Sequence, residues 1–151
     1  MRREDREITD PAEIECILNE ALVCRIGLAD GGEPYVVPVS FGYENGSVYI
    51  HSAMAGKKIA MMAKNPRCCF EVDICDRVIR GDRPCSWGMR YRSVIGNGMA
   101  VILTDPKEKT HGLNCIVQHY GGGIHEFSES DIRSVTVIRI AVESMTGKKH
   151  I

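Results

Sequence analysis

The chain has 151 residues with 19 Lys+Arg against 20 Asp+Glu, a length that fits one domain with a single core and leaves no room for separate cofactor and substrate domains. The near-neutral balance removes the basic excess by which nucleic-acid binders hold phosphate backbones, so no nucleic-acid partner is expected. The start Met1-Arg2-Arg3-Glu4-Asp5-Arg6-Glu7 is charged where a signal peptide needs an apolar core, and no later run approaches the ~18–20 apolar residues that span a bilayer; a cytoplasmic protein with no membrane partner is expected.

In chain order, Thr9-Asp10-Pro11 reads as a helix start, with Asp10 as N-cap, Pro11 at the first helical position and Glu13 at capping-box-like spacing. Ile14, Ile17, Leu18 and Ala21 then recur at helical spacing and turn one stripe toward a core. From Leu22 the period becomes that of strands, over 22–29, 34–43 and 47–51, joined by Asp30-Gly31-Gly32 and Glu44-Asn45-Gly46, residues suited to the positive φ of hairpin turns. A short helix over 57–64 stops at Asn65-Pro66. Strands over 67–74 and 91–103 flank a Pro/Gly-bearing loop, 77–88, that holds the only Trp, Trp87. Thr104-Asp105-Pro106 caps a helix that reaches about Tyr120 and ends at Gly121-Gly122-Gly123. Ser128 starts a short turn or helix to 133, and the last strand, 135–145, carries apolar residues on both faces. The pattern predicts a mainly β fold with flanking α: a small antiparallel barrel in one domain, 1–151.

Seven cysteines, odd in number and without C-x-x-C spacing, predict reduced thiols that pack as small hydrophobes, with a reactive Cys75 or Cys85 left open. His111, Cys115 and His119 recur at four-residue intervals, but at ~1.5 Å rise per residue the outer two lie ~12 Å apart, too far to share one ion, so no metal site is assigned.

Three segments carry candidate chemistry. His51-Ser52-Ala53-Met54-Ala55-Gly56-Lys57-Lys58 places a hydroxyl, small residues and two cations where a strand gives way to a helix, the outline of an anion site. Its spacing matches neither a Walker A loop nor a dinucleotide fingerprint, which points to a monophosphate such as FMN; a solvated lysine pair opening a surface helix is the alternative. In Pro34-Tyr35-Val36-Val37-Pro38-Val39-Ser40, Pro38 removes a ladder donor in mid-strand. That frees backbone to read a flat heterocycle while Val37 and Val39 cover part of a ring face, or else it blunts an edge strand against aggregation. In Tyr91-Arg92-Ser93-Val94-Ile95-Gly96-Asn97-Gly98, two glycines suggest a bend or close packing, and the Ser93 hydroxyl is placed to reach a ligand.

These segments, together with Arg3-Glu4-Asp5-Arg6-Glu7-Ile8, Phe41-Gly42-Tyr43, Asn65-Pro66-Arg67 and Phe70-Glu71-Val72-Asp73, resemble the FMN-binding split-barrel superfamily of pyridoxamine 5′-phosphate oxidases, and more closely its nitroimidazole-resistance (Nim)-like branch. The resemblance implies a six-stranded split barrel that is a homodimer with FMN in clefts between the subunits. It implies that Ser52, Lys57 and Lys58 hold the phosphate, that Val37, Pro38, Val39 and Ser40 lie along the ring, and that His51 sits at the inner end of the phosphate strand. Ser93 matches a position where the oxidases carry a flavin-contacting glutamine, and Lys57 one where they carry an arginine. The C-terminal basic residues that bind pyridoxal phosphate in those oxidases have no counterpart. The implied activity is electron transfer from a reduced nicotinamide through FMN to a small oxidised acceptor such as a nitro-compound, with His51 as a candidate general acid. A non-catalytic flavin or haem binder and a deazaflavin protein are the rival readings, and whether Trp87 and Met89 cover a ring stays open.

Overall fold

The computed structural model describes residues 3–151; Met1 and Arg2 of the charged start lie outside the described residues. After a short turn of helix at Glu4–Arg6 the elements run β1 (Glu7–Ile8), α1 (Pro11–Glu20), β2 (Cys24–Asp30), β3 (Glu33–Val39), β4 (Phe41–Glu44), β5 (Ser47–Ser52), α2 (Lys57–Lys64), β6 (Arg67–Ile79), β7 (Gly88–Ile102), α3 (Pro106–His119), α4 (Glu129–Ser134) and β8 (Thr136–His150). The six expected strands are all present. The count rises to eight because 33–44 breaks at Ser40 into β3 and β4, and because β1 adds a two-residue pairing to β8. No described helix is long and apolar enough to cross a membrane.

Every pairing is antiparallel, in the order β3-β2-β6-β7-β8-β5-β4. The two edges of this sheet are β3 and β4, which are separated in sequence only by Ser40, so the sheet has to curl until its edges meet there. The result is a barrel with a split between β3 and β4. The hairpins that start it carry positive φ at Gly31 and Gly32 and at Asn45 and Gly46, as the sequence predicts.

Alternate residues of each strand fill the interior: Ile26, Phe41, Val48, Ile50, Phe70, Val72, Val94, Ile138 and Ile140 are fully buried in one cluster. Gly96, opposite Phe70, leaves room for its ring, since a Cβ would stand 2.2 Å from Phe70 Cζ. The β7–β8 register shifts at Asn97/Gly98, so the bend expected from the two glycines is found.

The stripe of α1 (Ile14, Ile17, Leu18) and Ala21 is buried against this core. Asp10 caps α1 by accepting the Ala12 N–H at 3.0 Å. Glu13 makes no capping box; it takes the Lys149 ammonium at 2.7 Å and ties α1 to the end of β8.

The outer face of β5 and β8 is covered by α3. Tyr49, Leu103, Ile116 and Val137 form a second cluster there, so the second apolar face of the last strand is satisfied within the chain. Asp105 caps α3, and the helix ends in a Schellman pattern, Gly122 N–H to Val117 O and Gly121 N–H to Gln118 O. The contact with β4 is backbone-close: a Cβ on Gly42 would meet Cys115 O at 2.5 Å and Cys115 C at 2.6 Å.

The expected loop over 77–88 is present but shorter, at 80–87, with a turn of 3-10 helix at Pro84–Ser86. β6 and β7 continue as a ladder to Ile79↔Gly88, past a bulge at Cys75/Arg77, and Trp87 at its tip donates its indole N–H to Gly81 O at 2.9 Å. Replacing Gly42 by Ala forces α3 off β4, and the expected cost is about 1–3 kcal/mol of stability, read as a lowered urea midpoint.

Candidate functional site

The anion segment begins on the last residues of β5. His51 pairs with Val137 and is exposed, while Ser52 pairs with Thr136 and is half-buried. Gly56, at φ 144° with open space at its α-carbon, then starts α2 without any side-chain cap, so the first-turn N–H groups of that helix have no side-chain acceptor.

The two lysines differ. Lys57 donates to Glu33 Oε1 at 2.7 Å, an ion pair that raises its pKa, and its ammonium lies 5.0 Å from the centre of the Tyr35 ring. Lys58 is half-buried and has no ion-pair partner among the described residues; burial alone lowers its pKa. A cation withdrawn from water without a counter-charge is costly to the fold unless an anion arrives. Of the pair, Lys58 is the one left available.

On β3 the register fixes which groups point outward. Pro38 pairs with Arg25 and Pro34 with Ala29. Since proline has no N–H to give β2, these pairs are of the non-hydrogen-bonded kind, and alternation makes the same true of Val36. The backbone of residues 34, 36 and 38 therefore faces away from β2, along the free edge.

Val37 and Val39 have the opposite parity, and their side chains pack on the barrel core. The sequence places these two valines along a ring, and in the fold they are half-buried on the core side of β3. The side chains turned outward are those of Val36 and Pro38, and inward packing leaves Val37 and Val39 contributing backbone position.

Ser40 follows at the split, next in line to the Phe41↔Ile50 pair and so beside His51. The two line one cavity of about 390 Å³ with Ile116, Val117, Tyr120 and Gly122. Tyr120 went unnoticed in the sequence. Its hydroxyl accepts the Phe41 N–H at 3.1 Å and donates to Leu22 O at 2.8 Å, which fixes the start of β4 against α3. His119 beside it lies against the Phe41 ring, at 4.4 Å between centres, and reaches Ala21 O at 2.7 Å. No sequence pattern announces such a role for a tyrosine at a helix end.

Ser93 is not brought to this group. It lies on the outer face of β7 between Asp73 and Lys148, three strands from β3. Between them Arg25, the partner of Pro38, pairs with Glu71 at 3.0 Å and with Asp73. On the same face a depression of about 430 Å³ is lined by Val36, Gly27, Cys69 and Asn97 among others. Another depression, about 520 Å³, lies elsewhere, between β1, α1 and β8, and holds none of the expected site residues.

Of the helical His/Cys series, His111 pairs with Glu44 at 2.7 Å, and burial pushes the Cys115 thiol up to about 11. Cys75 and Cys85 are both exposed and free.

With this geometry in place, the class is defined: an antiparallel split barrel with an uncapped helix start after β5. Residues 10–149 match the pyridoxamine 5′-phosphate oxidase family, and the chain belongs to it. A candidate 5-nitroimidazole antibiotic resistance protein of Bacteroides thetaiotaomicron is 36% identical, with a TM-score of 0.84 over 94% of this chain and 85% of that one. An FAD-binding protein of Mesorhizobium loti is 27% identical (TM-score 0.71; 97% and 98% of the two chains). A flavocytochrome of Azotobacter vinelandii, at 21% identity, shares the fold (TM-score 0.87; 100% and 72%). No curated protein matches the sequence.

Replacing Tyr120 by Phe removes both hydroxyl bonds at once, and a loss of about 1–3 kcal/mol in chemical denaturation is expected for leaving the part-buried Phe41 N–H without an acceptor.

Proposed function

We propose that this chain is a homodimeric flavoprotein that holds FMN by its phosphate at the start of α2 and passes electrons from a reduced nicotinamide to a small oxidised acceptor such as a nitro-compound. The observation that carries the reading is Lys58, a half-buried ammonium without an acidic partner among the described residues, in the first turn of a helix with no side-chain cap. A phosphate there meets free N–H groups, the positive end of the helix and a full charge together. Membership of the family supports the flavin. Likeness to the candidate 5-nitroimidazole resistance protein supports the acceptor class.

The residues fit the group. Lys58 binds the phosphate with the N–H groups of the first turn, and Ser52 and Lys57 flank it, Lys57 once it turns from Glu33. The outward carbonyls of residues 34, 36 and 38 accept ring N–H donors along the free edge of β3, and Ser40 offers a hydroxyl at its end. When bound, FMN supplies the hydride and electron transfer, and the protein supplies position and hydrogen bonds. His51 lines the cavity with Ser40, where a ring nitrogen is placed to hand a proton to a reduced acceptor. Ile116 and Val117 keep water from one wall of that cavity.

The dimer rests on the outer face. Val36 (65% exposed) and Ile95 (52% exposed) leave apolar surface there, and a second copy would cover it and close the cleft, with Ser93 at its rim.

A visible spectrum of the purified protein, before and after anaerobic NADH or NADPH, tests the reading. Flavin bands that bleach and then return on adding a 5-nitroimidazole are expected, with FMN as the released mass; FAD, deazaflavin or a Soret band in its place would refute the FMN assignment. Lys58→Ala is expected to weaken FMN by about 10- to 100-fold, more than Lys57→Ala, while sedimentation still reports a dimer. Because the Lys58 pKa is lowered from 10.5, its positive charge is lost earlier as pH rises. FMN affinity of the cofactor-free protein is therefore expected to fall on the alkaline side below the ordinary lysine range, and Lys58→Arg to abolish that fall.

A further inference from the structure

Outside the proposed flavin site, two arginines on the barrel wall, Arg90 and Arg139, have a buried Nε without a partner among the described residues, and Arg139 lines a cavity. Arg139 lies on the outer face of β8, opposite Tyr49 on β5 and Val101 on β7. Its Nε is buried and finds no hydrogen-bond partner, and no carboxylate pairs with its guanidinium among the described residues. It opens into a cavity of about 370 Å³ whose other walls are Tyr49, Leu103, Lys107, Glu108 and His111.

The cavity is built by the helix above it. Asp105 caps α3 and aligns its first turn over the end of β7, so Lys107 and Glu108 come to the rim one turn before His111. Gly112 lets α3 settle on Tyr49 and Val137, with a Cβ position only 2.9 Å from the Tyr49 ring. Tyr49 itself is buried, at 8% exposure, and its ring stands edge-on to His111 at 5.5 Å between centres. Leu103 is buried beside it.

The charges are unequal. His111 is held by Glu44 at 2.7 Å. Of the other lining residues, Arg139 and Lys107 are cations with no ion pair among the described residues and Glu108 is the one carboxylate. With Nε buried, the edge of the guanidinium that bears Nη1 and Nη2 is the one that takes a planar carboxylate through two parallel N–H bonds. The walls of Tyr49 and Leu103 then suit a short apolar or aromatic body, while Glu108 at the rim opposes a second negative charge.

We propose that the cavity between the first turn of α3 and the β5–β8 wall binds a small organic monocarboxylate, with Arg139 as its principal anchor and Lys107 as a second cation. This site is distinct from the His51–Lys58 segment and independent of the flavin reading. Arg139 shares strand β8 with Val137, the ladder partner of His51, two residues away. The carboxylate site and the proposed acceptor cavity are thus carried on opposite ends of one helix, α3.

The test uses the full-length protein as purified, with sodium benzoate, inorganic phosphate and sodium chloride as probes. Benzoate is expected to raise the Tm in a saturable way and to shift the Arg139 Nε–H resonance, with phosphate weaker and chloride at matched ionic strength without effect. Arg139→Met is expected to weaken benzoate about tenfold or more while leaving the visible spectrum unchanged. If that variant does not fold, Lys107→Ala provides the second reading, with a several-fold weaker benzoate Kd expected. An equal benzoate response in a folded Arg139→Met, an unchanged Kd in Lys107→Ala, or an Arg139 Nε–H resonance that no probe moves would each overturn the site. Phosphate binding in preference to benzoate would overturn the monocarboxylate class.

Discussion

Because residues 33–44 leave β2 at one edge of the sheet and reach β5 at the other across a single residue, Ser40, the whole sheet has to curl to bring those edges together. Curling gives each strand an inner face that the barrel fills and an outer face that needs another cover. Over β5 and β8 that cover is α3; over β2, β6 and β7 it is mostly solvent in the single chain. The candidate chemistry gathers where the closure is imperfect, since an unpaired edge, a strand break and a helix start all fall beside the split.

Closure also decides which groups are offered. With Pro34 and Pro38 aimed outward, the free edge of β3 presents carbonyls and, between the prolines, only the Val36 N–H. At the strand break Ser40 comes to lie beside His51, and Tyr120 holds Phe41 through its hydroxyl so that this neighbourhood stays in register. Lys57 and Lys58, adjacent in sequence, take different fates because only one of them finds a carboxylate in reach.

Much of this was legible. The caps at Asp10 and Asp105, the hairpin turns at Gly31-Gly32 and Asn45-Gly46, and the inward stripe of α1 are local features whose causes lie within a few residues. What escaped depends on distant partners. Glu13 looked like part of a capping box and instead meets Lys149 from the far end of the chain. Val37 and Val39 were expected at a ring face and turn inward, because parity in a strand is set by which neighbour closes the core. The ladder beyond Ile74 was hidden by the charges and turn residues of its tip, and the cover that α3 gives the second apolar face of the last strand is a tertiary contact with no local signal. Arg25, Arg139 and Tyr120 carry no motif, and their roles come from what the fold leaves opposite them.

The place of β8 in the strand order has a consequence for how the molecule is made. β5 and β4 are joined to the rest of the sheet only through β8, which follows all the other strands of the sheet in sequence. Until residues 136–150 arrive, the hairpin that carries His51 has no ladder partner beyond itself, and an isolated hairpin is marginal in water. Long-range strand pairing of this kind is slow to nucleate. Closure of the barrel therefore waits on residues 136–150, which insert between β7 and β5 and assemble the His51 neighbourhood in the same step.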